Sequence, residues 1–140
     1  MSSTLTRETV DAVSYFKAKL EFEVGPFGID QLIKDKTAVK IIDLRIPEAY
    51  AKSHIPGALN VSYEELPKHL SQLNKEELTV VYCYNITCHL SAKAALYLAE
   101  QGYKVKELYG GFDDYVQRGL TVEGKTEASS CASTKHSSCG

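Results

Sequence analysis

The chain has 140 residues, 44% of them hydrophobic, and a formal charge of −2; that allows one domain with its own core, and not comfortably two. Its 16 Lys and Arg are scattered among 18 Asp and Glu, which excludes a nucleic-acid partner held by its phosphates. No run approaches the roughly 20 apolar residues of a membrane span, and MSSTLTRETVDAV at the start lacks a signal-peptide apolar block. The expected setting is therefore the cytoplasm, away from any membrane, where thiols stay reduced and four cysteines argue for chemistry or metal rather than a disulfide framework.

Val10, Val13, Phe16 and Leu20 recur at helical spacing and predict a helix over residues 6–20, with Thr6 as its N-cap. Gly25-Pro26 breaks that pattern, and a short helix is expected over 29–33. AVKIIDL, residues 38–44, reads as a strand apolar on both faces. Residues 47–52 fit one or two helical turns opened by Pro47. His54-Ile-Pro-Gly57 is turn chemistry, followed by a short strand over 58–61. Residues 63–73 read as helical, with Pro67 near the start of a second piece, and 78–82 as a third strand rich in β-branched residues.

Leu90, Ala94, Ala95, Leu98 and Ala99 share one face of a helix over 90–101, with Gly102 as its C-cap. A fourth strand over 105–109 turns at Gly110-Gly111 into a helix over 112–118, stopped by Gly119. Strands that are apolar throughout and alternate with helices indicate an α/β fold, a parallel sheet covered on both faces. The last 16 residues are Ser-rich and poor in hydrophobes, so a disordered tail is expected over 124–140; its Cys131, His136 and Cys139 offer metal binding, sulfur collection or no role.

Cys83 follows the strand Val80-Val81-Tyr82 directly. In a parallel α/β sheet, ligands sit beyond the carboxyl ends of the strands. A loop of inward-pointing amides and the N-terminus of the next helix would favour a thiolate there, so the Cys83 pKa is expected to fall. That is the environment of a nucleophilic cysteine. The alternative is one more buried small hydrophobe at a strand end.

Beyond these local signals, IIDLRIPEAYAKSHIPGALNV (residues 41–61) resembles the Asp-x-Arg, Glu and His-Ile-Pro-Gly-Ala-x-Asn stretch of the rhodanese-like domain family. VVYC ending at Cys83 resembles that family's strand with the active cysteine, and SAKAALYLAEQGYKVKELYGGFDDY (91–115) its following helix, strand and Gly-Gly turn. The resemblance runs from about residue 28 to 123, leaving 1–27 as an N-terminal extension with its own helix. It implies a five-stranded parallel sheet flanked by helices, and a cysteine that takes a sulfane sulfur as a persulfide and hands it on. On that basis Cys83 is the expected nucleophile. The implied partners are a small-molecule or protein sulfur donor and a thiol acceptor, with no cofactor and no metal.

The loop after Cys83 departs from the common sulfurtransferase pattern of Cys, four residues, Arg, Ser. Here it runs Tyr84, Asn85, Ile86, Thr87, Cys88, His89, Leu90, Ser91, two residues longer and without Arg or Lys. It resembles a subgroup with a second cysteine five positions on. Related dual-specificity phosphatases need an Arg where His89 stands, and His89 cannot grip a phosphate bidentately, so phosphatase activity is not expected. Poor use of the thiosulfate dianion is expected, and better use of a persulfide. The family's Trp after Gly-Gly is absent, and Tyr115 is expected to fill its space.

Asp43 and Arg45 either orient the loop or pair with each other and the backbone to fix the turn; the second reading is preferred, as is a structural role for His54. Cys88 has three readings: a small side chain filling the longer loop, a thiol that resolves a persulfide or sulfenate on Cys83, or a metal ligand with Cys83 and His89. Two functions compete with the sulfurtransferase: a thiol-redox module using Cys83 and Cys88, and a non-enzymatic interaction module on the same fold. The N-terminal helix is expected to pack on the helical layer of the sheet or to face a partner.

Overall fold

Two apolar pentapeptides, Val39–Asp43 and Leu78–Tyr82, form the centre of the structure, a computed structural model that describes residues 10–124. Around them the described chain runs α1 (Ala12–Phe22), β1 (Glu23–Val24), α2 (Pro26–Lys34), β2 (Val39–Asp43), α3 (Pro47–Lys52), β3 (Leu59–Asn60), a 3₁₀ segment (Tyr63–Gln72), β4 (Leu78–Tyr82), α4 (Leu90–Glu100), β5 (Lys104–Leu108) and α5 (Gly111–Gln117). The five strands make one parallel sheet in the order β1-β5-β4-β2-β3. β2 and β4 pair along their full length, from Val39 opposite Leu78 to Asp43 opposite Tyr82.

That order places the site. After β2 the chain moves outward to β3, then returns to lay β4 on the opposite side of β2. The direction of winding reverses between β2 and β4, which opens a crevice beyond their carboxyl ends. Asp43 ends β2, and Cys83 follows β4 at the same edge.

Alternation along the strands fills a core on each face. Ile41, Val80, Tyr82 and Leu108 pack with Ile29 of α2 and with Phe112 and Tyr115 of α5. Ile42, Val81 and Val105 pack with Ala94 and Leu98 of α4 and with Leu66 of the 3₁₀ segment. Burial on both faces is why these strands read as apolar runs.

The differences from the sequence expectations have local causes. β1 is two residues long and shows no periodicity, yet its pairing with β5 makes it the fifth strand, inside the stretch expected to be the extension. Residues 63–72 form a 3₁₀ helix with Pro67 inside it, which has no N–H for a ladder. Helix α1 begins at Ala12, because Asp11 is extended and its carboxylate accepts the Ser14 N–H at 2.7 Å. Thr6, the expected cap, lies outside the described residues, as does the tail with Cys131, His136 and Cys139. No residue of α1 is buried, and the Val13, Phe16 and Leu20 stripe is open to solvent rather than packed on the sheet's helical layer. Among the described residues no helix is long and apolar enough to cross a membrane.

Candidate active site

At the end of β2, a buried carboxylate collects hydrogen bonds from four donors. Asp43 Oδ1 accepts from the Arg45 backbone N–H (2.9 Å) and Nε (3.0 Å). Its Oδ2 accepts from Arg45 Nη2 (2.8 Å) and from the Tyr82 hydroxyl (2.5 Å). Both charges are withdrawn from water, so each depends on the other for solvation. Arg45 Nη2 also donates to Ser53 O at 2.6 Å, and its guanidinium lies 3.9 Å from the centre of the Phe112 ring. The Tyr82 hydroxyl accepts the Ile55 N–H at 3.1 Å, and burial beside Asp43 pushes its pKa strongly upward. Asn60 Nδ2 donates to Asp43 O and Arg45 O, latching the chain as it leaves the strand.

At the end of β4 the chemistry is sparse. Cys83 is 1% exposed, and Cys88 is partly exposed; both are free thiols. The Cys88 thiol donates to Cys83 Sγ across 2.7 Å. Burial, and then the contact with Cys88, push the Cys83 thiol up to about 12, against a smaller opposing effect of the Tyr84 N–H. The expected fall in pKa is therefore corrected for this arrangement. Desolvation penalises the anion more than one backbone amide favours it.

The loop has its own scaffold. Asn85 Oδ1 accepts from the Thr87 N–H (3.1 Å) and hydroxyl (2.8 Å), and Asn85 O accepts the Cys88 N–H (3.0 Å). Ile86 and His89 are exposed, and His89 caps α4 without a side-chain hydrogen bond. The Tyr84 hydroxyl accepts the Ile46 N–H at 3.3 Å, which joins the loop to the chain after β2.

The start of α5 presses on the loop from the other side. Phe112 N–H donates to Cys83 O and Asp113 N–H to Tyr84 O, both at 2.9 Å. A Cβ on Gly111, whose φ is +71°, would lie 2.8 Å from Asn85 N and 2.9 Å from Asn85 Cα. Gly111 and Phe112 were not singled out as site residues. The signal for them was the Gly-Gly pair directly after a strand, which marks a backbone that must pass close to another. Ser91, the last residue of the loop pattern, is buried, and its hydroxyl donates to Glu107 on β5 at 2.5 Å.

The structure thus brings Asp43, Arg45, Tyr82, Cys83, Cys88 and the loop to one edge. His54 stands apart, stacked on Tyr50 at 3.8 Å with Nδ1 at 2.8 Å from Tyr50 O. Tyr115 is fully buried against Phe112, and its hydroxyl donates to Thr121 O. Among the described residues, no group of three His, Cys, Asp or Glu side chains is placed to hold a metal ion. The arrangement offers a sheltered sulfur in contact with a second one, and the nearby guanidinium is already occupied by a carboxylate.

The family model for the rhodanese-like domain matches residues 29–118. A sulfurtransferase of Allochromatium vinosum is 31% identical over 101 residues, which cover 71% of this chain and 92% of that protein. The thiosulfate sulfurtransferase GlpE of Actinobacillus pleuropneumoniae is 32% identical over 102 residues, covering 72% and 92%. Among solved structures, the BH2092 protein of Bacillus halodurans superposes with a TM-score of 0.76 at 30% identity, over 81% of this chain and 84% of that one.

Proposed function

The chain belongs to the rhodanese-like domain family, and on that footing we propose that it is a sulfurtransferase or sulfur carrier, working in the cytoplasm, whose Cys83 takes up a sulfane sulfur as a persulfide and yields it to a thiol acceptor. The carrying observation is the position of Cys83: it follows the central strand β4 at the crevice where the winding reverses. On this reading Tyr84, Asn85, Ile86, Thr87 and His89 make up the active-site loop, and Asp43 and Arg45 support it from the adjacent strand end. Because the resting sulfur is sheltered and protonated, the donor must displace Cys88 before Cys83 reacts.

Donor choice follows from charge. The 83–89 loop has no Lys or Arg, and Arg45 is neutralised by Asp43. A dianion such as thiosulfate gains nothing there to offset its lost hydration, whereas a persulfide carries less charge into the site. The test is intact mass after incubation with persulfide and thiosulfate donors. A gain of one sulfur atom, or hydrosulfide released in its place, is expected; it is larger with the persulfide and disappears in Cys83→Ser. Neither a gain nor released hydrosulfide with any donor, or a response indifferent to Cys83→Ser, defeats the proposal.

Two other readings have an observation each. The 2.7 Å sulfur contact favours a thiol-redox module, for which mild peroxide removes two hydrogens only when both cysteines are present. The raised Cys83 pKa favours a non-enzymatic interaction module, for which alkylating both loop thiols leaves partner binding unchanged.

A further inference from the structure

Cys88 has no task in a simple transfer cycle, yet its position is the most specific feature of the loop. Three hydrogen bonds through Asn85 shape the segment that leads to it. Its thiol points at Cys83 Sγ, and it is the more exposed of the two. In a Cys83 persulfide, the atom that Cys88 already touches is the inner sulfur. The loop supplies no cation to hold the terminal anion. Both facts favour removal of the outer sulfur over its storage.

Building on the persulfide reading above, we propose that Cys88 discharges the Cys83 persulfide as hydrosulfide, closing a Cys83–Cys88 disulfide that an external thiol reopens. In the first step, the Cys88 sulfur attacks Cys83 Sγ. The Cys88–Cys83 bond forms, and the bond from Cys83 Sγ to the sulfane sulfur breaks. The bonding pair leaves with the sulfane sulfur, which takes the Cys88 proton and departs as hydrosulfide. That sulfur is reduced by two electrons, and the cysteine pair is oxidised by two. In the second step, two equivalents of a low-molecular-weight thiol reduce the disulfide and leave as their own disulfide. Forming the bond requires Cys88, which rests 2.7 Å from Cys83 Sγ before loading, to return once the donor has left and to close to about 2.05 Å. The protein then reduces sulfane sulfur as well as accepting it.

The experiment loads the reduced 140-residue chain with a low-molecular-weight persulfide, removes the donor, and follows three readouts. These are intact mass, hydrosulfide trapped by an alkylating bimane, and peptide mapping that separates the loop thiols from Cys131 and Cys139. In the wild type the added sulfur is expected to leave as one hydrosulfide per chain, while a Cys83–Cys88 disulfide appears. Cys88→Ser should keep the sulfur on Cys83 and release hydrosulfide at least about tenfold more slowly, because the attacking thiol is gone. Cys88→Ala serves as the second variant, with circular dichroism to confirm that each is folded. Release from folded Cys88→Ser as fast as from wild type overturns the proposal, and so does added sulfur found on Cys88. If folded Cys88→Ser and Cys88→Ala take no sulfur on Cys83 at all, the persulfide reading itself fails, and this inference falls with it.

Discussion

The ends of β2 and β4 lie side by side at the reversal of winding, yet one is saturated with polar contacts and the other is nearly bare. At β2, Asp43 accepts from four donors, and Arg45 is spread between a carboxylate, a carbonyl and an aromatic face. At β4, Cys83 meets a second thiol, and the loop around it has no cation. The charged end can rest only in one geometry, because each buried group depends on the others. The sulfur end is held by a few backbone bonds and can open without stranding a charge. Rigidity and chemistry are thus divided between two adjacent strand ends.

The comparison breaks most sharply at the charged end. Asp43→Ala or Arg45→Ala leaves the partner buried and unpaired, a loss of about 3–5 kcal/mol. Urea unfolding should show a midpoint far below wild type, or no folded baseline. A smaller cut is Tyr82→Phe, which strips the acceptor from the buried Ile55 N–H and a donor from Asp43. The expected cost is about 1–3 kcal/mol by the same measurement. If both changes prove mild, the end of β2 is not the fixed side of the site.

Gly111→Ala tests where the two ends meet. The new Cβ would collide with the backbone at Asn85, at a positive φ that disfavours alanine. The backbone term alone costs about 1–2 kcal/mol, and relief of the clash requires the loop to shift. Alkylation of Cys83, followed by mass spectrometry, should then be faster than in wild type at the same pH.

Alkali sharpens the contrast from the sulfur side. Cys83 and Tyr115 are both buried neutral, and burial pushes each up to about 12. Their folded pKa values lie above the ordinary ones, so the folded state holds more protons than the unfolded chain across that interval. Stability is therefore full below pH 9.0, the ordinary thiol value, and is lost as pH rises through about 12. Denaturant midpoints measured upward from pH 8 should fall accordingly. Cys88→Ala should shift the alkylation profile of Cys83 to lower pH, because it removes both the cover and a contact that raises the pKa.

What the sequence revealed follows the same division. β4 was legible to the residue, and β2 to within one at each end, because burial on both faces leaves uninterrupted apolar runs. Asp43, Arg45 and Cys83 were legible as residues at strand ends. The environment of Cys83 was not, since desolvation depends on what covers the sulfur, and the cover comes from Cys88 and from α5, almost thirty residues away. β1 has two residues, too few for any period. Gly111 carried a turn signal, but its pressure on Asn85 exists only once the helix is docked.

The smallest expected effect is at the loop's outer rim. Ile86 is 60% exposed, so Ile86→Ser removes little buried surface and should change stability by no more than about 0.5 kcal/mol. Thr87 and Cys88 keep their bonds to Asn85 in that variant, because none of them involves the Ile86 side chain. Cys83 should therefore stay as sheltered as in wild type, with an unchanged alkylation rate. A marked rise in that rate would mean that the exposed isoleucine holds the loop shut, and the sulfur end would then be less loosely built than its few hydrogen bonds indicate.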